Sequence, residues 1–226
     1  MCGRFTLRAP ASLIAEQFSL FETAEFHARY NIAPTQEVAA VRVMSAETGA
    51  GRRELAWLRW GLVPGWAKDP AVGSRMINAR AESVAEKPSF RTPLSRRRCL
   101  ILADGFYEWQ AVGQKKQPYF IRLVDDRPFA LAGLWERWEG PDHRLVESCT
   151  IITTEANALM RPIHDRMPVI LPPECLDRWL DPALRDAAAV TPLLRPYPAE
   201  DMIAGPVSTY VNSPAHDDPR CIEPAA

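Results

Sequence analysis

Short runs of apolar and β-branched residues, separated by turn-forming residues, dominate the chain and predict strands. The segment 29–36 is extended and interrupted by Pro34. Strands are predicted at 38–44, at the start of 51–70, and at 99–103, 118–124, 129–138, 147–154 and 167–171. Apolar residues at helical spacing are rarer, and they predict helices at 11–18, 80–87, 173–180 and 182–190.

The order of these elements indicates the fold class. Successive strands follow one another without regular intervening helices, which predicts an α+β fold with a mainly antiparallel sheet rather than a doubly wound one. No repeat or low-complexity linker divides the chain, so a single domain is predicted over 1–211. The remainder, 212–226, is polar and rich in proline, and we expect it to be a flexible tail.

Composition narrows the class of protein. The chain has 226 residues, 47% of them hydrophobic and 24% charged, which is typical of a soluble globular protein. It contains neither a stretch of about 20 apolar residues nor a signal-peptide pattern, so we expect a cytoplasmic protein that does not enter a membrane. The five cysteines form no CxxC pair, and neither a metal nor another cofactor is predicted.

The positions of the arginines are more informative about binding partners than the net charge of the chain. The formal net charge is −1, so the overall field would not attract nucleic acid. Arginines nevertheless cluster at 91–98 and recur near motif-like sequence as Arg4, Arg29, Arg75 and Arg80. A local basic groove on a neutral protein is compatible with this pattern, and a solvated turn explains Arg96–Arg98 equally well.

Cys2 is the most informative residue. Removal of the initiator Met1, which a small second residue favours, would leave Cys2 with a free α-amine beside its thiol. Such groups titrate near ~7.7–8.0 and ~8.5 respectively, so both are partly nucleophilic at neutral pH. A 1,2-aminothiol condenses with an aldehyde: the amine forms a Schiff base and the thiol closes a thiazolidine. The alternative is an incidental residue at a frayed terminus.

Other candidate groups lie in loops and strand ends. His164 belongs to the polar sequence HDR, which is flanked by apolar residues, and this setting favours a role in acid–base chemistry. Glu108 lies between two aromatic residues, where burial would raise its pKa; an outward-facing strand residue is equally compatible. Asn78 and Arg80 share a face if 77–83 is extended, and they suit a sugar-phosphate ligand. Trp66 suits base stacking, although core packing is the commoner fate of a tryptophan.

Taken together, several blocks resemble the SRAP family, the SOS-response-associated peptidase-like proteins. The blocks run in order from residue 2 to about residue 171, roughly three quarters of the chain. They read MCGRF, RYNIAPTQ, WGLVPGWAKD, INARAES, RRCLILADGFYEW, AGLWE and TTEANALMRPIHDRMPVIL. The resemblance implies a barrel-like, mainly antiparallel fold with peripheral helices. It also implies an enzyme that captures abasic sites in single-stranded DNA as a covalent DNA–protein crosslink.

The resemblance also assigns roles to residues. Cys2 corresponds to the nucleophile, Asn78 to the residue that orients the amine, Glu108 to the catalytic glutamate and His164 to the catalytic histidine. The resemblance implies DNA contacts for Arg80 and Arg166, with Arg4 at the phosphates and Thr153 as a weaker polar contact. Trp66 joins them as an expected DNA contact because of its Pro-Gly loop. We expect a monomer acting on single-stranded DNA, with single-strand/double-strand junctions as a further substrate. Abasic-site lyase activity and crosslink reversal would use the same Schiff base.

Rival interpretations remain open from the sequence. An MCG start also occurs in N-terminal-cysteine glutamine amidotransferases, but their later substrate motifs are missing here. A self-processing peptidase is a second alternative, although only Met1 precedes Cys2. A third is a non-catalytic protein that binds single-stranded DNA through Trp66 and arginines.

Overall fold

A computed structural model describes residues 2–20, 27–46 and 49–225. Within these ranges the helices are short and the strands carry most of the regular structure. The strands are β1 (Arg4–Leu7), β2 (Arg29–Ile32), β3 (Glu37–Ala46), β4 (Gly49–Trp60), β5 (Asn78–Arg80), β6 (Arg98–Ala103), β7 (Gly105–Val112), β8 (Lys115–Leu123), β9 (Phe129–Glu139), β10 (Leu145–Glu155), β11 (Arg166–Pro168), β12 (Ile170–Leu171) and β13 (Met202–Pro206). The α-helices are α1 (Ala11–Phe18), α2 (Pro88–Arg96), α3 (Leu176–Leu180) and α4 (Ala187–Val190).

A closed barrel of five strands forms the centre of the molecule. Strand β3 pairs with β4 and β6, β6 pairs with β9, and β9 pairs with β10, all antiparallel; a short parallel pairing of β10 with β4 closes the ring. All residues of β6 (sequence RCLILA) are buried. Closure leaves no free edge in the ring. The apolar residues of its strands fill the interior of the barrel and form its core.

A second, five-stranded sheet runs in the order β13-β8-β7-β1-β2. Strand β1 lies between β2 and β7, with Arg4 opposite Tyr107. Phe5 of β1 meets Trp60 of β4 edge to face, with ring centroids 5.1 Å apart, and both side chains are fully buried. This contact seats the N-terminal strand against the barrel. Cys2, two residues before β1, and Glu108 of β7 both lie just beyond the Arg4–Tyr107 end of the β1–β7 pairing.

The predicted α+β class, with a mainly antiparallel, barrel-like sheet, is confirmed. The predicted strands are observed, with 167–171 divided into β11 and β12. The predicted helix at 80–87 is wrong, because β5 includes Arg80, turns follow it, and α2 begins only at Pro88. A proline disfavours helical geometry in the residue before it but fits the first helical position, which explains the displacement. Only 187–190 of the predicted helix 182–190 forms, starting where Asp186 caps it.

The prediction of a flexible tail is wrong for residues 212–225. This segment includes a 3-10 helix at Pro219–Ile222, and the side chain of Cys221 is fully buried. The carboxylate of Asp217 accepts backbone hydrogen bonds from Tyr30 at 2.5 Å and Asn31 at 2.9 Å. Polar composition alone predicted a tail, but these polar groups have partners on β2.

No helix among residues 2–20, 27–46 and 49–225 is long and apolar enough to cross a membrane.

Candidate active site

Cys2 lies at the centre of the candidate site and is held by Asn78. Strand β5 pairs in parallel with β10 and brings Asn78 opposite Ile151. From there the Asn78 Nδ2 donates to the backbone carbonyl oxygen of Cys2 at 2.9 Å. The Asn78 Oδ1 is buried and accepts no hydrogen bond from the described part of the chain. Asn78 therefore fixes the backbone of Cys2 and keeps a buried acceptor close to it.

The Cys2 side chain is buried and protonated at rest. It has no exposed surface, and its thiol lies 4.0 Å from the backbone carbonyl oxygen of Arg4, to which it donates. Burial, reinforced by the nearby charge of Glu108, raises the pKa of the Cys2 thiol well above its ordinary value. The thiolate is the nucleophile in cysteine chemistry, so this thiol needs a base to react.

Glu108 is a suitable proton acceptor. Its side chain lies in β7, next to the residue that pairs with Arg4, and only 2% of the residue is exposed. Burial raises the pKa of Glu108 to about 7. A carboxyl group with this pKa exchanges protons readily at neutral pH. Of the two sequence interpretations, the structure supports the buried glutamate over the outward-facing one.

His164 is fixed in orientation by its own loop. The backbone N–H of Arg166 donates to the His164 Nδ1 at 3.0 Å, and this bond favours the neutral tautomer that carries its proton on Nε2. Burial lowers the pKa of His164, although the Asp165 carboxylate 2.9 Å from Nδ1 opposes this effect. The Gln110 side chain donates to the Pro162 carbonyl oxygen at 2.8 Å and ties this loop to β7. The ring is thus neutral near pH 7 and presents an N–H donor.

Arg166 is already engaged in an ion pair. Its Nη1 and Nη2 donate to the two carboxylate oxygens of Glu82 at 2.7 and 2.9 Å, and Nη2 also donates to the Thr153 carbonyl oxygen at 2.7 Å. Thr153 itself has no exposed surface, so its side chain is not accessible for the DNA contact that the resemblance implies. Its hydroxyl instead donates to the Ala79 carbonyl oxygen of β5, inside the protein.

The remaining predicted DNA contacts differ in accessibility. Arg80 is exposed at the end of β5, and Trp66 is 66% exposed in its loop. Arg4, by contrast, donates to the Asn31 side chain and to the carbonyl oxygens of Val211 and Asn212. The structure therefore brings together Cys2, Asn78 and Glu108 and leaves Arg80 and Trp66 open to a ligand, whereas Arg4 is occupied by the protein itself.

Sequence reasoning missed two residues around this site. Glu82 lies within the INARAES block and Asn31 within RYNIAPTQ, so both stood inside motifs quoted for the resemblance. Neither motif reveals its partner, because Glu82 pairs with a residue 84 positions away and Asn31 contacts residues beyond 210. Among residues 2–20, 27–46 and 49–225, no cluster of His, Cys, Asp and Glu is arranged to hold a metal ion.

Comparison with known proteins gives the class first. Residues 1–214 match the family model of the SOS response associated peptidases, SRAP. Among solved structures, a protein from Bacteroides thetaiotaomicron superposes with a TM-score of 0.88 at 28% identity, covering all of both chains. The chain belongs to the SRAP family.

Curated relatives place it more closely. The chain is 48% identical over 227 residues to the abasic site processing protein YoqW of Bacillus subtilis, covering 99% of each. It is also 37% identical over 202 residues to the abasic site processing protein HMCES of Gallus gallus, covering 79% of this chain and 60% of that protein.

Proposed function

We propose that this protein processes abasic sites in single-stranded DNA by capturing them covalently through Cys2. The observation that carries the proposal is the hydrogen bond from Asn78 to the Cys2 backbone, beside a buried Glu108 whose pKa is about 7. The names of the relatives, abasic site processing proteins of bacteria and vertebrates, support the substrate.

The chemistry needs the free amine of Cys2 after Met1 is removed. An abasic deoxyribose equilibrates between a closed hemiacetal and a small fraction of open aldehyde. The amine attacks the aldehyde carbon, and the carbonyl oxygen leaves as water, giving an imine. The thiol then adds across the C=N bond: sulphur bonds to carbon, the thiol proton goes to nitrogen, and a thiazolidine results. One water is released overall, and no oxidant or metal is required.

Each polar group has a step to perform. His164 donates from Nε2 towards the ring oxygen and favours opening of the sugar. Glu108 accepts the proton of the amine or thiol, which the raised pKa of that thiol makes necessary. Asn78 holds the Cys2 backbone, and its buried Oδ1 is the acceptor that we assign to the freed amine. In the reverse direction, Glu108 returns the proton to the sulphur as the C–S bond breaks, and water then hydrolyses the imine to release the DNA aldehyde.

Two exposed side chains suit the binding of a single strand. Arg80 offers an exposed guanidinium for a phosphate, and Trp66 offers an indole on which a base can stack. Before the ring closes, the imine can lose the 3′-phosphate by β-elimination, which is abasic-site lyase chemistry. Thiazolidine formation competes with this loss and protects the strand from breakage.

The direct test is a denaturing gel of the protein with an oligonucleotide containing one abasic site. Wild type with Met1 removed should give a shifted band that survives denaturation, and Cys2→Ala should give none. Cys2→Ser keeps the amine and should give a band only after borohydride reduction of the imine. Binding that is reversible in every variant and indifferent to the abasic site would instead identify a non-catalytic DNA-binding protein.

A further inference from the structure

The segment 208–223, here called the C-terminal clasp, is joined to β2 by a fully buried asparagine. Asn31 directs its Nδ2 to the carbonyl oxygens of Val211 at 3.1 Å, Ser213 at 2.9 Å and His216 at 2.7 Å. Its Oδ1 accepts a hydrogen bond from the Arg4 Nη1 at 2.9 Å. One buried amide thus connects the clasp with β1.

Arg4 connects the clasp with the nucleophile. Its guanidinium also donates directly to the clasp, at the carbonyl oxygens of Val211 (3.0 Å) and Asn212 (3.4 Å). At the other end of the same residue, the Arg4 carbonyl oxygen accepts from the Cys2 thiol. Arg4 thus contacts the clasp through its side chain and the Cys2 sulphur through its carbonyl oxygen.

The clasp also contacts the strand that carries the base. The Asn212 Oδ1 accepts from the Trp109 Nε1 at 2.8 Å, and Trp109 is the neighbour of Glu108 in β7. The Arg4 guanidinium lies over the Trp109 ring, 5.9 Å from its centroid. Asn212 consequently contacts both members of the β1–β7 pair: its backbone carbonyl oxygen accepts from Arg4, and its side chain accepts from Trp109.

The clasp is itself held in a defined conformation. Asp217 accepts from the Arg29 side chain as well as from the Tyr30 and Asn31 backbone. The rings of Tyr210 and His216 stack with centroids 3.7 Å apart and an interplanar angle of 5°. A segment tied down in this way can act as a rigid support for β1 and β7.

We propose that the clasp positions Cys2 against Glu108, with Asn212, which contacts both β1 and β7, as the positioning residue. This inference rests on the proposed function, because it concerns the alignment of the same two groups. Among the described residues, the clasp reaches β1 through Arg4 and the strand of Glu108 through Trp109 and the buried Tyr107. Its loss should therefore slow the chemistry without weakening DNA binding. Small misplacements of reacting groups are expensive, and the loss of rate should reach about tenfold or more.

The experiment measures single-turnover crosslinking of an abasic oligonucleotide as a function of DNA concentration. Asn212→Ala should lower the maximal rate about tenfold or more and leave the half-saturating DNA concentration unchanged. Asn212→Asp retains the acceptor for Trp109 and should restore the rate to near wild type. Asp218→Asn is the matched control, because Asp218 bonds to Tyr210 and Arg220 within the clasp and should leave the rate unchanged.

The outcomes separate this inference from the proposed function. If wild type forms no crosslink, the proposed function fails. If wild type crosslinks and Asn212→Ala matches its maximal rate, the clasp is structural only and the inference is overturned. A higher half-saturating concentration at an unchanged maximal rate would also overturn it, since the clasp would then bind DNA. Should Asn212→Ala not fold, Trp109→Phe removes the same hydrogen bond from the other side and must show the same loss of rate.

Discussion

The side-chain amide of Asn78 donates to the backbone carbonyl oxygen of Cys2 at 2.9 Å, which joins β5 to the segment that leads into β1. The two residues are 76 positions apart in sequence, and the barrel strand β10 brings them together by pairing with β5. The nucleophile is therefore positioned by the barrel as well as by its own strand.

Replacing Asn78 tests this relationship. Asn78→Asp puts a carboxylate acceptor against the carbonyl oxygen of Cys2, so the contact becomes repulsive and the nucleophile loses its support. We expect the single-turnover crosslinking rate to fall about tenfold or more. Asn78→Ala removes the bond without the repulsion and should fall less. Equal rates for Asn78→Asp and wild type would show that the contact does not position Cys2.

Glu108 should make stability depend on pH. Its carboxyl group titrates near the ordinary 4.5 when unfolded and at about 7 when folded. The folded state therefore binds the proton more tightly between these values, so stability falls as pH rises through this window and stays low above it. Glu108→Gln removes this penalty and should stabilise the protein at pH ~8, by up to about 3 kcal/mol.

Urea denaturation of wild type and Glu108→Gln at several pH values measures this difference. The two stabilities should converge as the pH falls towards about 4.5. If Glu108 is the base, the wild-type crosslinking rate should fall on acidification through pH ~7, and the same substitution should abolish this pH dependence. A difference in stability that stays constant over the whole range would contradict a raised pKa for Glu108.

Much of the fold follows from local pattern, but the site depends on long-range pairing. The apolar run 99–103 predicts a buried strand because every residue of it is apolar, and it is observed as part of β6. The polar composition of 212–226 predicts a tail, yet Asn31 and Asp217 satisfy its polar groups by contacts that no local pattern reveals. Likewise, no local pattern shows that Thr153, a polar DNA contact implied by the resemblance, is fully buried and accepts a hydrogen bond from Arg166.

The role proposed for His164 concerns ring opening and can be isolated from the later steps. His164→Ala should slow capture of a natural abasic site, because its Nε2–H no longer assists opening of the sugar. An oligonucleotide carrying a linear aldehyde that cannot cyclise needs no such help. We expect the loss of rate to be much smaller on that substrate. An equal loss on both substrates would place His164 in a different step.

Glu82 should restrain DNA binding, because it neutralises Arg166. Hydrogen bonding from Arg166 lowers the pKa of Glu82, so the carboxylate is ionised at neutral pH. In a Cys2→Ala background, Glu82→Gln should bind single-stranded DNA more tightly by fluorescence anisotropy. The gain should shrink as salt is raised, because it is electrostatic.

Glu174→Gln provides the matched control for Glu82. It removes one negative charge from an exposed position in the 3-10 helix Pro173–Cys175. Its affinity should stay close to that of the parent. Weaker binding by Glu82→Gln would show that the ion pair orients Arg166 for DNA rather than competing with it.

The most direct measurement concerns the amine of Cys2. The protein is prepared with a cleavable extension ahead of Cys2. It is mixed with abasic single-stranded DNA before and after site-specific proteolysis. Intact-mass measurement confirms which residue is first in each sample. If the α-amine of Cys2 is required, a denaturing gel should show no crosslink before cleavage and a crosslink after it. A denaturation-resistant crosslink formed while the extension is still present would contradict capture by the α-amine and thiol of Cys2.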